Sequence, residues 1–293
     1  MSLLNTFNFI RKHPLNKEHK IAAFGRFIKW QIGSRLNPFP VLYPFVENSL
    51  LIVQRSMAGA TGNIYCGLHE FSEMGFLLHV LRPEDIFVDI GANIGSYTVL
   101  ASGVVGARTL AFEPAPGTFK HLRHNVDVND VHGKVELYNM ALGSGTDELL
   151  FSSTLDTENH IVSEKENIPS IKVPVQSLDK MMRGMAPLAM KIDVEGYETE
   201  VLKGAGSVLA NLHLKAIIIE LNGLGQRYGF DDKAIHDKLV KLGFKPNLYD
   251  PISRQFTEIQ NWGTDNTIYI RDPAFVASRV KSSRTYQVLD QSF

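Results

Sequence analysis

Four acids in this chain sit where acids do chemistry: Asp89, Glu113, Asp193 and Glu195. Each closes or follows a short apolar run. Ile86 to Ile90 reads as a buried strand with Asp89 near its carboxyl end. Arg108 to Phe112 reads as a second, ending at Glu113. Leu188 to Val194 reads as a third, with Asp193 at its end and Glu195 two residues on, on the same side. Open α/β sheets bind ligands in the crevice beyond the carboxyl ends of their strands. Acids gathered there suit a cationic ligand.

Between the first two strands lies the corner Gly91-Ala92-Asn93-Ile94-Gly95, followed by a helix opening at Ser96 that includes Tyr97. Gly91 permits a sharp turn, Gly95 permits close packing, and Asn93 is a residue that tolerates positive φ. The pattern is Asp-x-Gly-x-Asn-x-Gly, which departs from the dinucleotide fingerprint. Asp89 is also a poor neighbour for pyrophosphate. It suits S-adenosylmethionine, which carries a sulfonium and an ammonium. Glu113, followed by Pro114, stands 18 residues after Gly95, where an acid at the next strand end grips ribose hydroxyls. The competing structural role for Glu113, Asp193 and Glu195 is capping of the helices that follow.

These motifs carry a resemblance. Val88-Asp-Ile-Gly-Ala-Asn-Ile-Gly95, Ala111-Phe-Glu-Pro114 and Met190-Lys-Ile-Asp-Val-Glu-Gly-Tyr-Glu198 resemble the FkbM family of S-adenosylmethionine-dependent methyltransferases over residues 64–270. The resemblance implies a class I, Rossmann-like, seven-stranded and mostly parallel α/β sheet. It also implies methyl transfer to a hydroxyl of a sugar or other small molecule, favouring a bacterial saccharide or glycan precursor. It places Glu70 near the methionine part of the cofactor, and Ala141 and Leu142 beside the adenine. Asp193, Glu195 and His69 are the candidate bases for the acceptor hydroxyl. Asp193, Glu220 and Asn222 suggest a Mg²⁺ site, which is not favoured, because the same groups can orient sugar hydroxyls.

Other elements must position these residues. Residues 1–66 read as a helical arm and a β-hairpin whose arms are Leu51–Gln54 and Asn63–Cys66. Residues 67–271 read as the methyltransferase domain, and 272–293 as a tail without legible chemistry. Val135 to Leu142 reads as one strand. Ile171 to Val175 reads as an edge strand, because Pro174 cannot donate to a ladder. The polar stretch 153–170 is a candidate wall of the acceptor pocket. His160 within it reads as a solvated loop residue or an alternative base. Glu198 to Leu209 reads as one helix.

Composition narrows the alternatives. The 293 residues carry a formal charge of −1, so no global basic field points to nucleic acid. One cysteine, Cys66, excludes a disulfide framework and suits the cytoplasm. No apolar run is long enough for a transmembrane span, and no signal peptide is visible. The charge is uneven: residues 1–36 hold seven Lys or Arg and one acid, which leaves −7 on the remainder. Ile21, Phe24, Phe27, Ile28 and Ile32 recur at helical spacing there. The preferred reading is a helix packed on the core with snorkelling basic side chains, and the alternative is contact with a membrane surface. A nicotinamide-dependent oxidoreductase and a non-catalytic scaffold are the rival functions. The sequence sets no oligomeric state.

Overall fold

Runs of β-branched and aliphatic residues pair edge to edge into a twisted sheet in the computed structural model, which describes residues 3–55, 57–152, 159–163, 166–263 and 266–293. The chain begins with α1 (Leu3–Lys12), α2 (Lys20–Leu36), the hairpin β1 (Val41–Pro44) and β2 (Leu50–Val53), α3 (Ala58–Cys66) and α4 (Phe71–Val80). Next come β3 (Ile86–Ile90), α5 (Ser96–Thr98) running into a π-helical segment (Val99–Val105), β4 (Arg108–Phe112) and α6 (Pro116–Val128). Then follow β5 (Val135–Tyr138), β6 (Ala141–Leu142), β7 (Asp147–Ser152), β8 (Ser170–Gln176), α7 (Leu178–Met182) and β9 (Ala189–Ile192). Next come α8 (Glu198–Lys203), α9 (Gly206–Ala210), β10 (Ala216–Glu220), α10 (Asp232–Lys241), β11 (Lys245–Asp250), β12 (Gln255–Glu258), β13 (Asn266–Ile270) and α11 (Pro273–Lys281), and a short antiparallel pair, β14 (Gln287–Val288) and β15 (Gln291–Ser292), follows.

The main sheet has eight strands, in the order β12-β11-β13-β10-β9-β3-β4-β5. The run β10-β9-β3-β4-β5 is parallel, and β13 is antiparallel to β10. Strand order reverses between β9 and β3, so the Asp89 and Asp193 strands are neighbours at the switch point, where such sheets bind ligands. Each face is covered. Phe87, Ala189 and Ile218 join one apolar cluster with α4 and the N-terminal helices. Val88, Met190 and Ile217 join another with α7 to α10. This is the period-2 alternation of a sheet buried on both sides.

Several expectations change. The sheet has an eighth edge strand, β12, beyond the seven expected. The hairpin pairs β1 with β2, whereas Asn63 to Cys66 belongs to α3. The helix fits there because Gly62 leaves room for the His69 ring: a Cβ on Gly62 would lie 2.3 Å from it. Residues 135–142 are divided. The Asn139 side chain donates to the carbonyls of Glu113 and Pro114 at 2.8 and 2.9 Å, and β6 leaves for a small sheet with β8 and β7. In that sheet β8 is central, not an edge; β6 registers only with Val175 and Gln176, just beyond Pro174. The expected helix 198–209 breaks into α8 and α9 around Gly204, whose Cβ would meet the Gly143 carbonyl at 1.9 Å. The C-terminal segment contributes α11 and an aromatic end, with Phe293 edge-on to Phe71 at 5.2 Å.

Candidate functional site

The strand ends, the Gly91–Gly95 corner, α3, α4 and the two N-terminal helices enclose a cavity of about 690 Å³, within the range of small-ligand sites. Of the residues expected at the site, the cavity is lined by His69, Glu70, Asp89, Gly91, Ala92, Asn93, Tyr97, Glu113, Pro114, Ala141, Leu142, Asp193 and Glu195. Gly95 does not line it. Gly95 caps α5 at φ +90°, and its Cβ would lie 2.5 Å from Leu122. Its role is helix packing.

The corner is fixed by backbone bonds. The amides of Gly91 and Ala92 donate to the Phe112 carbonyl at 3.0 and 2.9 Å, and Asp193 N–H donates to Ile90 O at 3.0 Å. Asn93 takes φ +51°, the left-handed conformation its residue type permits. Gly91 sits at φ +77°, where a Cβ would meet the Asp193 carbonyl at 1.8 Å. Glu113 accepts from the amides of Asn93 and Ala115, both at 2.9 Å, so it braces the corner. Burial pushes its carboxyl up to about 7. Asp89 is 1% exposed. One of its oxygens accepts from Thr98 at 2.6 Å; the other, Oδ1, is buried and has no hydrogen-bond partner among the described residues. Burial pushes Asp89 up to about 6, against the opposing pull of Lys191.

Glu70 occupies the N-cap position of α4, yet its side chain makes no capping bond. Instead it accepts from Tyr97 Oη at 2.5 Å and from Asn266 Nδ2 at 2.8 Å. His69 lies against the Phe9 ring, with centroids 5.2 Å apart.

At the third strand tip, one carboxylate oxygen from each of Asp193, Glu195 and Glu220 falls within 4.8 Å of the others. Burial, then the charges of Asp193 and Glu195, raise the Glu220 carboxyl well above its ordinary range. Asn222, expected beside them, is exposed, and its oxygen accepts from Leu224 N at 3.1 Å. The cluster already has a cation: Lys191 Nζ lies 2.5 Å from Asp193 and 4.9 Å from the Tyr97 ring centroid. Burial alone would lower the Lys191 ammonium; Asp193, Glu70 and Asp89 more than offset this and hold it above its usual value. Glu195 is held at φ +55° beside Gly196 at φ +101°. Such backbone is costly for a non-glycine residue and gathers at functional sites. Glu198 secures the turn, accepting from Val194 N and Gly196 N at 3.1 and 3.2 Å.

Lys191 and Glu198 are absent from the residues expected at the site. Lys191 had a signal: it stands two residues before Asp193 on one strand, hence on the same face, and a buried lysine needs a carboxylate. The contributions of Thr6, Phe9, Phe27 and Gln31 from α1 and α2 carried no comparable signal. His160, expected as a solvated loop residue or base, is buried outside the cavity lining, with Nε2 3.0 Å from Glu166. Of the stretch 153–170, residues 153–158 and 164–165 lie outside the described residues, while Asn159 and Ile161 do line the cavity.

Comparison with known proteins adds three findings. The Methyltransferase FkbM domain matches residues 89–246. The hexuronic acid methyltransferase AglP of Haloferax volcanii is 30% identical over 148 residues, covering 50% of this chain and 59% of that protein. The 31-O-demethyl-FK506 methyltransferase FkbM of Streptomyces tacrolimicus is 28% identical over 213 residues, 58% of this chain and 82% of its own length. The chain spans 59% to 61% of the length of the first curated relatives it matches. Among solved structures, a precorrin-6y C5,15-methyltransferase from Geobacter metallireducens aligns at 13% identity and a TM-score of 0.42, covering 76% of this chain and 94% of that one.

Proposed function

Because the chain belongs to the FkbM methyltransferase family, we propose that it is an S-adenosylmethionine-dependent O-methyltransferase acting on a hydroxyl of a small saccharide or glycan precursor. The observation that carries the cofactor assignment is Asp89 Oδ1, a buried carboxylate oxygen without a partner in an acid-lined cavity. Leaving such an atom unsatisfied costs several kcal/mol, and a sulfonium or ammonium nearby removes that cost. When bound, S-adenosylmethionine supplies a methyl carbon activated for displacement by a nucleophilic oxygen.

The chain's own residues divide the work. Glu113 retains lone pairs for ribose hydroxyls after accepting its two amide bonds. Glu70, already oriented by Tyr97 and Asn266, holds the ammonium. The turn at Gly91, Ala92 and Asn93 brings the backbone close to the ligand, while Ala141, Leu142 and Pro114 wall the adenine side. Asp193 and Glu195 orient the acceptor and take its proton, with His69 on another wall as the remaining candidate base. The in-line geometry asks mainly for alignment and exclusion of water. The sugar acceptor rests on the hexuronic acid methyltransferase among the relatives. Among the described residues no helix is long and apolar enough to cross a membrane. The single cysteine, Cys66, suits the cytoplasm, and we place the reaction there.

Calorimetry with S-adenosylmethionine and with NADH, followed by labelled methyl transfer to glycan precursors with and without chelator, tests the proposal. Saturable heat with the first ligand, and label on a hydroxyl that survives chelation, is the expected result. Heat with NADH alone would replace this reading with an oxidoreductase. Unaltered cellular function on loss of Asp193 and Glu195 would replace it with a scaffold.

A further inference from the structure

We propose that α1 and α2 form a face that docks this protein onto an anionic lipid bilayer. The helix α2 is apolar on two sides. Ala23 is buried, and Phe24, Phe27 and Trp30 pack on the main core. That is the packing expected of an N-terminal helix. The opposite side does not follow that expectation: Ile21, Ile28, Ile32 and Leu36 are 92%, 55%, 56% and 81% exposed. Their spacing of seven, four and four residues, close to whole helical turns, sets them in one stripe. Gly25 lies along it, and a Cβ there would meet nothing within 4 Å. Leu4 and Phe7 of α1 and Phe39 beyond α2 add further exposed apolar surface. An exposed apolar stripe of this length on one helix marks an interaction surface.

Charge selects the occupant. Arg11, Lys12, Lys17, Lys20, Lys29 and Arg35 are exposed on these segments. Arg26 turns inward, donating to the Tyr65 carbonyl at 2.9 Å and to Asn16 at 2.8 Å. With Glu18 as the one acid of residues 1–36, the segment carries +6 against −7 elsewhere. A second copy on this face would set +6 against +6. An anionic bilayer accepts the apolar stripe at the headgroup boundary and attracts each flanking cation by about 1 kcal/mol. The same helices give Phe9, Phe27 and Gln31 to the cavity wall, so docking would set that wall beside the membrane, where a lipid-carried saccharide would be presented. This last link rests on the proposed methyl transfer; the docking does not.

The test is co-sedimentation of the full chain with phosphatidylcholine vesicles, with and without phosphatidylglycerol, at ~0.15 M salt. Partition onto the anionic vesicles should exceed that onto neutral ones at least about tenfold. Ile28→Ser/Ile32→Ser and, separately, Lys20→Glu/Lys29→Glu should each abolish that excess, with unchanged Tm and unchanged S-adenosylmethionine heat. Equal partition on both vesicles, or none on either, overturns the proposal. So does a fall in Tm for both variants, which would return the stripe to the core. A dimer dissolved by the serine pair in sedimentation equilibrium, with no vesicle binding, assigns the face to a second copy. Vesicle binding without cofactor heat would sink the methyltransferase reading and leave the docking standing.

Discussion

Asp89 and Glu113 on one side, and Asp193, Glu195 and Glu220 on the other, are carboxyls at adjacent strand ends held in opposite ways. The first pair is buried and fixed by uncharged donors: a threonine hydroxyl for Asp89, two backbone amides for Glu113. The second group is half-buried and crowded, and the Lys191 ammonium is bonded to one of its members. Hydrogen bonds to amides fix geometry without cancelling charge. A lysine cancels charge and ties the group's ionisation to itself. In the proposed reading the first pair is left for a ligand from outside, Asp89 for its cation and Glu113 for its ribose, whereas the second group already contains a cation.

Four experiments probe that contrast. Gly91→Ala should break both halves together, since its Cβ would enter the Asp193 carbonyl at 1.8 Å on a backbone at φ +77°. We expect a loss of about 3 kcal/mol or more in chemical denaturation; an unchanged midpoint would mean that the two tips are not rigidly abutted. Lys191→Met should act on the second group. Breaking a buried pair costs about 3–5 kcal/mol. Asp193 keeps 25% of its side chain exposed, so we expect about 2 kcal/mol, with S-adenosylhomocysteine affinity within a fewfold of normal. A collapse of that affinity would mean that the lysine serves the first pair too. Glu113→Gln should do the reverse: cofactor affinity about tenfold weaker by calorimetry, roughly 1.5 kcal/mol, with Lys191 and its partners unaffected. Full affinity would remove Glu113 from the ribose role.

The smallest effect is protonic. Asp89 and Glu113 titrate near about 6 and about 7 in the fold, above the usual carboxyl range, because they are buried. Between the unfolded values and those values, the folded chain keeps protons that the unfolded chain has shed. Their contribution to stability is thus complete at low pH and is lost as pH rises through about 6 to about 7. A cationic ligand should expel the same protons: on the order of one released near pH 6.5, falling toward none by pH 8.5. Calorimetry in buffers of different ionisation enthalpy measures this, and proton uptake would show that the pair does not face the cation.

What could be read in advance follows from the range of the interactions. Asp89, Asn93 and Glu113 were legible because a strand, its turn and an acid at the next strand end lie within a few dozen residues. The strands β3 and β9 were legible because each is a short run, apolar but for Asp89 and Lys191, that leads to an acid at its tip. The division at Asn139 was not, since it depends on carbonyls 25 and 26 residues earlier. Residues 58–66 were misread because Ile64, Tyr65 and Cys66 resemble a strand, while the room at Gly62 that lets the helix pack is defined by the ring of His69. The fate of α2 was half legible: its spacing announced a helix, but both sides are apolar and only tertiary packing chose the inner one.

Glu70 accepts one of its two bonds from Asn266, 196 residues further along the chain. A carboxylate near the start of the catalytic unit is thus aimed by the last strand of the sheet. On the ribosome the parallel strands can assemble as they emerge, but this side chain has only its Tyr97 bond until residue 266 has left the exit tunnel. Long-range closures of this kind form late, so a nascent or truncated chain would have a sheet before it has a finished ligand site.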